Sequence, residues 1–387
     1  MIDSINVKNW MTQEEACEAL GVRRQTLYAY VSRGQIEVQG DPKNANRNLY
    51  RSADITALRK KHSVGRARKN IAASTMAWGE PIIDTSISTI VHGRLYYRGR
   101  DAVQLATSAT LEEAARLLWG TEELPHFPSF EPVPFDGPLR ARVYAAMACD
   151  AANDQPAGSG DFADMTNQAA ELVGRLASNF VALRADDGPL HLRIAAAWGV
   201  PRHADLLRRV LVLLADQELT SSSFAARVAA STGASLGASM IAGLAAFSGP
   251  MHGNAIVRVR EFMHEAKRSG TEKVVRRRMS DGDSLPGFGH ELYPQGDPRA
   301  AALLSAFAAP DAARELIDCV ERLTGKLPAI DIALAALVDH CRLPEEAAFA
   351  LFSIARSVGW MAHSIEQIME GSLLRPRARY VGPAVAD

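Results

Sequence analysis

Apolar residues recur at helical spacing through most of this chain. Thr12-Gln13-Glu14-Glu15 opens the first such stretch as a capping box, with Ala16, Ala19 and Leu20 on its apolar face. Gly21-Val22-Arg23 predicts a turn, and a second helix is predicted from Arg24 to Arg33, ended by Gly34. Gln35-Ile36-Glu37-Val38 and Asn48-Leu49-Tyr50-Arg51, separated by a polar Gly/Pro/Asn stretch, predict a short β-wing. A third helix is predicted from Ser52 to about His62.

A basic linker follows from Val64 to Asn70, and then the pattern changes. Ile82 to Tyr97 alternates apolar and polar residues and predicts short strands. Thr110-Leu111-Glu112-Glu113 is a second capping box, followed by Ala114, Ala115, Leu117 and Leu118 at helical spacing. From there nearly every segment predicts helix, apart from a loop at Gln155 to Asp161. The alanine-rich run from Ala225 to Ala246 is broken by Arg227, Ser231, Thr232 and several glycines. It predicts tightly packed buried helices rather than a membrane span.

A length of 387 residues, 47% of them hydrophobic, predicts two or three domains with sizeable cores. Cys17, Cys149, Cys319 and Cys341 form no CxxC pair, so spacing indicates neither a disulfide framework nor a metal site. That pattern, with no leader-like start, predicts a cytoplasmic protein. The net charge of −1 is unevenly spread. Residues 1–69 hold 13 Lys and Arg against 7 Asp and Glu, and the remainder is acidic. A basic segment on an acidic body predicts a separate task for the first domain.

Three residues suggest chemistry. His252 lies in Gly249-Pro250-Met251-His252-Gly253, His290 in Pro286-Gly287-Phe288-Gly289-His290, and Asp331 in Leu327-Pro328-Ala329-Ile330-Asp331. Each follows a Gly or Pro turn that can aim a side chain into a cleft. Two imidazoles and a carboxylate can together move a proton and polarise a carbonyl. Each also has a plainer reading: Asp331 could cap a helix, and Arg356, set among apolar residues, could serve a buried ion pair.

The first 63 residues resemble the winged helix-turn-helix domains of MerR-like and excisionase-like proteins. In those the second helix enters the major groove, which here would present Arg23, Arg24, Gln25, Thr26 and Tyr28, with Arg47 and Arg51 on the wing facing phosphates. From about Thr85 to Pro383 the chain resembles the citrate synthase family. The motifs, in family order, are Tyr97-Arg98-Gly99, Leu214-Ala215-Asp216-Gln217-Glu218-Leu219, the two histidine segments, Gly296-Asp297-Pro298-Arg299, Pro328 to Asp331, Arg356, and Arg375-Pro376-Arg377.

The resemblance implies a mainly α fold with a large and a small helical domain, preceded by the winged domain. The expected parts are a winged domain over 1–63, a linker over 64–80, a large domain over 81–253, a small domain over 254–341 and a large-domain return over 342–387. It implies a homodimer, or a higher oligomer, that condenses acetyl-CoA with oxaloacetate to give citrate and CoA. Acetyl-CoA is a co-substrate, and no cofactor is permanently bound. Asp331 would be the base, His252 would hydrogen-bond the thioester oxygen, and His290 would polarise the ketone. Gln217, Arg299 and Arg356 would bind oxaloacetate, with Arg375 reaching in from a partner subunit. Leu285, Pro286, Gly287, Phe288 and Gly289 would meet the adenine of CoA.

Two departures stand out. The family places a histidine at position 217, where this chain has glutamine. Loss of a charged hydrogen bond predicts oxaloacetate binding weaker by about ten- to thirty-fold, or preference for a different 2-oxo acid. Glu291 adds a carboxylate beside the expected CoA segment. A propionyl-CoA substrate, giving 2-methylcitrate, differs by one methylene, worth about 1–3 kcal/mol. A reading of another class is a DNA-binding regulator whose body senses CoA thioesters or oxo acids.

Overall fold

The computed structural model describes residues 10–20, 22, 24–32, 34–41, 44–56, 83–153, 160–183, 188–378 and 380–383. It divides into two compact units, Met1–Asp84 and Thr85–Asp387.

In the first unit, β1 (Trp10–Met11) precedes α1 (Gln13–Leu20) and α2 (Arg24–Ser32). β2 (Val38–Asp41), β3 (Asn44–Arg51) and a helical turn, α3 (residues 52–56), follow. The capping box forms as expected: the Glu15 N–H donates to Thr12 Oγ1 at 3.3 Å and the Thr12 N–H to Glu15 Oε2 at 2.8 Å. The wing has three antiparallel strands in the order β1-β3-β2, with Trp10 opposite Arg51 and Val38 opposite Tyr50. The added strand is two residues long, too short for alternation to mark. Ala16, Leu20, Leu27, Ile36, Tyr50 and Ile55 form the small core. That burial leaves Arg24, Gln25, Thr26 and Tyr28 exposed along α2. Arg47 is exposed, and Arg51 pairs with Glu37 at 2.5 Å. Arg23, the linker over 64–80 and most of the expected third helix lie outside the described residues.

The second unit opens with a small antiparallel sheet, β4 (Ser88–Val91), β5 (Arg94–Tyr97) and β6 (Arg100–Asp101). Helices follow: α4 (Ala102–Leu105), α5 (Leu111–Trp119), α6 (Leu139–Asn153), α7 (Phe162–Val181) and α8 (Leu190–Ala197). A 3-10 turn (Pro201–His203) leads into α9 (Ala204–Leu214), α10 (Ser221–Ser231) and α11 (Leu236–Phe247). The rest are α12 (Ala255–Ser269), α13 (Thr271–Asp281), α14 (Pro298–Leu304), α15 (Asp311–Thr324), α16 (Ile330–Cys341) and α17 (Ala347–Glu370). The second capping box holds, with Thr110 and Glu113 bonded both ways at the start of α5.

α17 is the spine of this unit. Its 24 residues span about 36 Å at 1.5 Å per residue. It packs against α5, α7, α9, α10, α11 and α16. Apolar residues surround it on every face, so it is buried nearly throughout. Burial among protein helices explains its composition. No helix of the described residues is long and apolar enough to cross a membrane. α16 is buried almost as completely, and α14 packs against it. Charged side chains on these three helices therefore have few exits, and their pairings carry information.

Candidate active site

Arg299 anchors the site. Asp297 caps the N-terminus of α14, accepting from the Arg299 N–H at 3.0 Å, with Pro298 at the first helical position. The same carboxylate takes the Arg299 side chain in a fork, Nε to Oδ1 at 3.0 Å and Nη2 to Oδ2 at 2.8 Å. Both side chains are essentially inaccessible to solvent. Burial works against the guanidinium charge, but Asp297 outweighs it and holds Arg299 above its ordinary value. Breaking such a pair costs about 3–5 kcal/mol.

The third nitrogen of Arg299 is turned the other way. Nη1 donates to Gln217 Oε1 at 2.5 Å, which fixes the amide and aims its NH2 at His290 Nε2, 3.2 Å away. The Leu292 N–H lies 3.2 Å from His290 Nδ1 and donates to it. A ring that accepts at Nδ1 carries its proton on Nε2. Two donors, the Gln217 amide and His290 Nε2–H, then face each other across 3.2 Å. An acceptor oxygen placed between them satisfies both. Burial and the Arg299 charge lower the His290 pKa, against the pull of Asp297, and so favour the neutral ring. A histidine at position 217 would meet the same burial and the same Arg299 charge, both of which disfavour its protonated form.

Arg356 lies on α17 with no exposed surface. Its Nε donates to the Leu214 carbonyl at 2.9 Å, while Nη1 and Nη2 have no hydrogen-bond partner among the described residues. The ion-pair reading of Arg356 finds no partner carboxylate within salt-bridge distance among those residues. Burial lowers its pKa, with the nearby Arg299 charge acting in the same direction. Two buried cations, one with both terminal nitrogens free, suit a dianion.

His252 follows α11 in a turn where Gly253 lies against Phe247. A Cβ at position 253 would come within 2.1 Å of that ring. The His252 ring sits edge-on to Phe247 at 5.0 Å. Burial, reinforced by Arg356, lowers its pKa to about 4. Ser222 Oγ lies 2.8 Å from Nε2, and with Ser222 as donor the ring proton sits on Nδ1, free to donate.

Asp331 is in the first turn of α16, two residues after the N-cap residue, Ala329. It is therefore not the helix cap that its sequence setting also allowed. Burial pushes its carboxyl up to about 6, against the pull of Arg299 and Arg356. A carboxylate of that pKa is a stronger base than an ordinary aspartate and is still ionised at neutral pH. Asp297 Oδ2 also accepts from the Ile330 N–H at 3.0 Å, which ties the start of α16 to the Arg299 fork.

The segment 285–289 is laced to the chain just before Asp331. The Gly289 N–H donates to Leu327 O and the Ala329 N–H to Gly287 O, both at 2.8 Å. Gly287 has φ +85° and sits so close to α16 that a Cβ would lie 3.0 Å from Ile332. Leu285 and Phe288 are buried, so only the backbone and Pro286 of this segment are offered outward. Glu291 is exposed. Arg375 is exposed on the tail after α17.

Sequence reasoning overlooked three participants. Tyr293 packs its ring 4.8 Å from His290 and 5.1 Å from the Arg299 guanidinium. Its buried hydroxyl has no partner among the described residues, and burial pushes it up to about 12. Ser222 orients His252. Asp216, wholly buried beside Gln217, accepts from Ser88 and lies 3.3 Å from His363 on α17. Asp216 lies in the Asp216-Gln217-Glu218 segment already noted, but nothing local marks Tyr293 or Ser222.

Comparison with known proteins identifies the family and the fold. A family model described as "Citrate synthase, C-terminal domain" matches residues 139–377, and one described as "Helix-turn-helix domain" matches residues 10–63. A Mycobacterium tuberculosis protein named "Putative citrate synthase 2" is 35% identical over 196 residues, covering 47% of this chain and 52% of that relative. The chain thus spans about half the length of that relative. Citrate synthase 2 of Bacillus subtilis is 26% identical over 349 residues, covering 77% of this chain and 93% of that protein. The structure of citrate synthase from the thermophilic archaeon Thermoplasma acidophilum, in ternary complex with carboxymethyl coenzyme A and oxaloacetate, superposes with a TM-score of 0.69. It is 27% identical and covers 81% of this chain and 97% of that one.

A mainly helical body with buried arginines beside two histidines and an aspartate defines the class. The chain belongs to the citrate synthase family and carries an N-terminal helix-turn-helix domain.

Proposed function

We propose that this protein condenses acetyl-CoA with oxaloacetate and hydrolyses the resulting thioester, giving citrate and CoA. The observation that carries this reading is the paired donor arrangement of Gln217 and His290 beside two buried arginines. Oxaloacetate offers what these groups lack: two carboxylates for Arg299 and Arg356, and a keto oxygen for the two facing donors.

Asp331 takes a methyl proton from acetyl-CoA. His252 donates to the thioester oxygen, so the enolate forms against a hydrogen bond rather than as a free anion. The nucleophilic carbon attacks the keto carbon. His290 and Gln217 hold the oxygen as it becomes an alkoxide, and His290 supplies the proton. Water then cleaves the citryl thioester. The neutral histidines matter here: each can donate without adding repulsion to a site that already holds two guanidiniums. The CoA moiety meets the backbone of 285–289. In a homodimer, Arg375 of one subunit reaches the other subunit's site. Propionyl-CoA is the nearest alternative acyl donor.

The test is release of free CoA thiol from acetyl-CoA and oxaloacetate, with Asp331→Ala as control. No turnover by the parent protein, or equal turnover by the variant, would overturn the reading.

A second role is supported by the exposed Arg24, Gln25, Thr26 and Tyr28 on α2 of the helix-turn-helix domain: sequence-selective DNA binding. Its test is fluorescence anisotropy with the protein's own promoter DNA at two salt concentrations. Equal affinity for random duplex removes it.

A further inference from the structure

Away from the arginines, three side chains distant in sequence meet at one end of α16. They are His203, which closes the 3-10 turn before α9, and His340 and Cys341, the last two residues of α16. One ligand atom from each lies within 4.8 Å of the other two. We propose that His203, His340 and Cys341 form a binding site for a borderline-soft divalent cation, Zn2+ foremost.

The donor set fits that ion. Imidazole and thiolate are both ligand types that zinc takes in tetrahedral sites, and a three-ligand set leaves one position for water. Bond lengths of about 2.0–2.3 Å put tetrahedral ligands roughly 3.3–3.6 Å apart. The present spread closes to that by side-chain rotation. The imidazole rings already meet edge-on, with centroids 5.3 Å apart, and Phe307 walls the cluster at 5.0 Å from His340. His340 and Cys341 occupy the last turn of a 12-residue helix, where the carbonyl ends favour a cation.

His203 already accepts from Arg202 at Nε2 and Cys341 belongs to the buried core, but among the described residues no hydrogen bond or ion pair engages the side chain of His340 or Cys341. Cys341 is buried and its thiol is pushed up to about 11, chiefly by burial, so at neutral pH it is protonated until a metal displaces the proton. Burial, with Arg202 and His340, lowers His203, which keeps a lone pair available. Arg202 is the opposing feature. Its Nε lies 3.1 Å from His203 Nε2, and its charge disfavours a cation. Arg202 is exposed and can swing away, so the expected affinity is micromolar rather than nanomolar. A bound ion would staple the start of α9 to the end of α16. Those helices lead, at their other ends, to Gln217 and Asp331.

The experiment uses untagged full-length protein stripped with chelator, titrated with Zn2+ by calorimetry and with Co2+ by absorption. The expected result is one equivalent bound and a thiolate-to-cobalt charge-transfer band. His203→Ala should weaken binding at least tenfold. Cys341→Ala should abolish the band, while Cys149→Ser, at an exposed thiol, leaves it intact. Circular dichroism checks that the variants are folded. Absence of saturable binding in the parent protein, or a band that persists in Cys341→Ala, overturns the proposal.

Discussion

Replacing Asp331 by asparagine should stabilise the protein and stop its chemistry. In the folded state the carboxyl titrates at about 6 rather than 3.8, with burial as the leading cause. A raised acid pKa means that the native state holds the proton more tightly than the unfolded chain. Below pH 3.8 both states are protonated and nothing is lost. Between 3.8 and 6 the unfolded chain releases its proton first, and native stability falls. Above 6 the loss levels off at roughly 3 kcal/mol, from about two pKa units at 1.36 kcal/mol each. Asn cannot ionise and escapes this loss. Because Asp331 retains partial solvent contact, about 1–3 kcal/mol is the expected gain at pH 8, and roughly half of that at pH 5. Thermal unfolding of parent and variant at the two pH values measures it, beside the CoA-release assay. A lower midpoint for the variant at pH 8, or a difference that does not change with pH, would refute the burial argument. Turnover in Asp331→Asn near that of the parent would refute the role of base.

Further outcomes follow from the same geometry. Arg356→Met removes a buried charge with two unpartnered NH2 groups. It should raise the thermal midpoint while raising the oxaloacetate KM about a hundredfold or more, as two charged hydrogen bonds are lost; a destabilised variant with unchanged KM contradicts this. Gln217→His should alter oxaloacetate KM by less than about threefold, because a neutral histidine preserves the donor toward His290 and the acceptor for Arg299. A tenfold gain in affinity would restore the charged-histidine account. The pH profile of kcat/KM should fall below about pH 6 as Asp331 is protonated, with no second limb from His252, whose pKa is about 4. Two protons titrating together near pH 6.5 would sink that assignment.

How much of this was readable beforehand varied with the kind of signal. Capping boxes at Thr12 and Thr110 are local, and each formed. The first sheet was only partly legible, because Trp10–Met11 becomes a strand by pairing with β3 rather than by its own pattern. Turn-borne motifs marked Gln217, His290 and Arg299, and the structure brings those three together, with Arg299 bonded to Gln217 and the Gln217 amide 3.2 Å from His290 Nε2. What no motif could state was orientation. That Arg356 keeps two nitrogens free, that Asp331 stands inside the helix rather than capping it, and that Ser222 faces His252 are outcomes of packing between distant helices. His203, His340 and Cys341 were invisible for the same reason. No spacing rule links them, and only the fold sets the end of α16 beside the turn before α9.

Asp297 has a consequence beyond charge. One carboxylate grips the anion-receiving guanidinium, begins α14, and receives the first amide of the helix that bears the base. In the proposed reaction, the two halves, seizing the oxo acid and removing the thioester's proton, would share a single mechanical joint. A carboxylate drawing on Arg299 would then act on residue 331 through two hydrogen bonds, so that the first substrate to arrive would set the alignment met by the second.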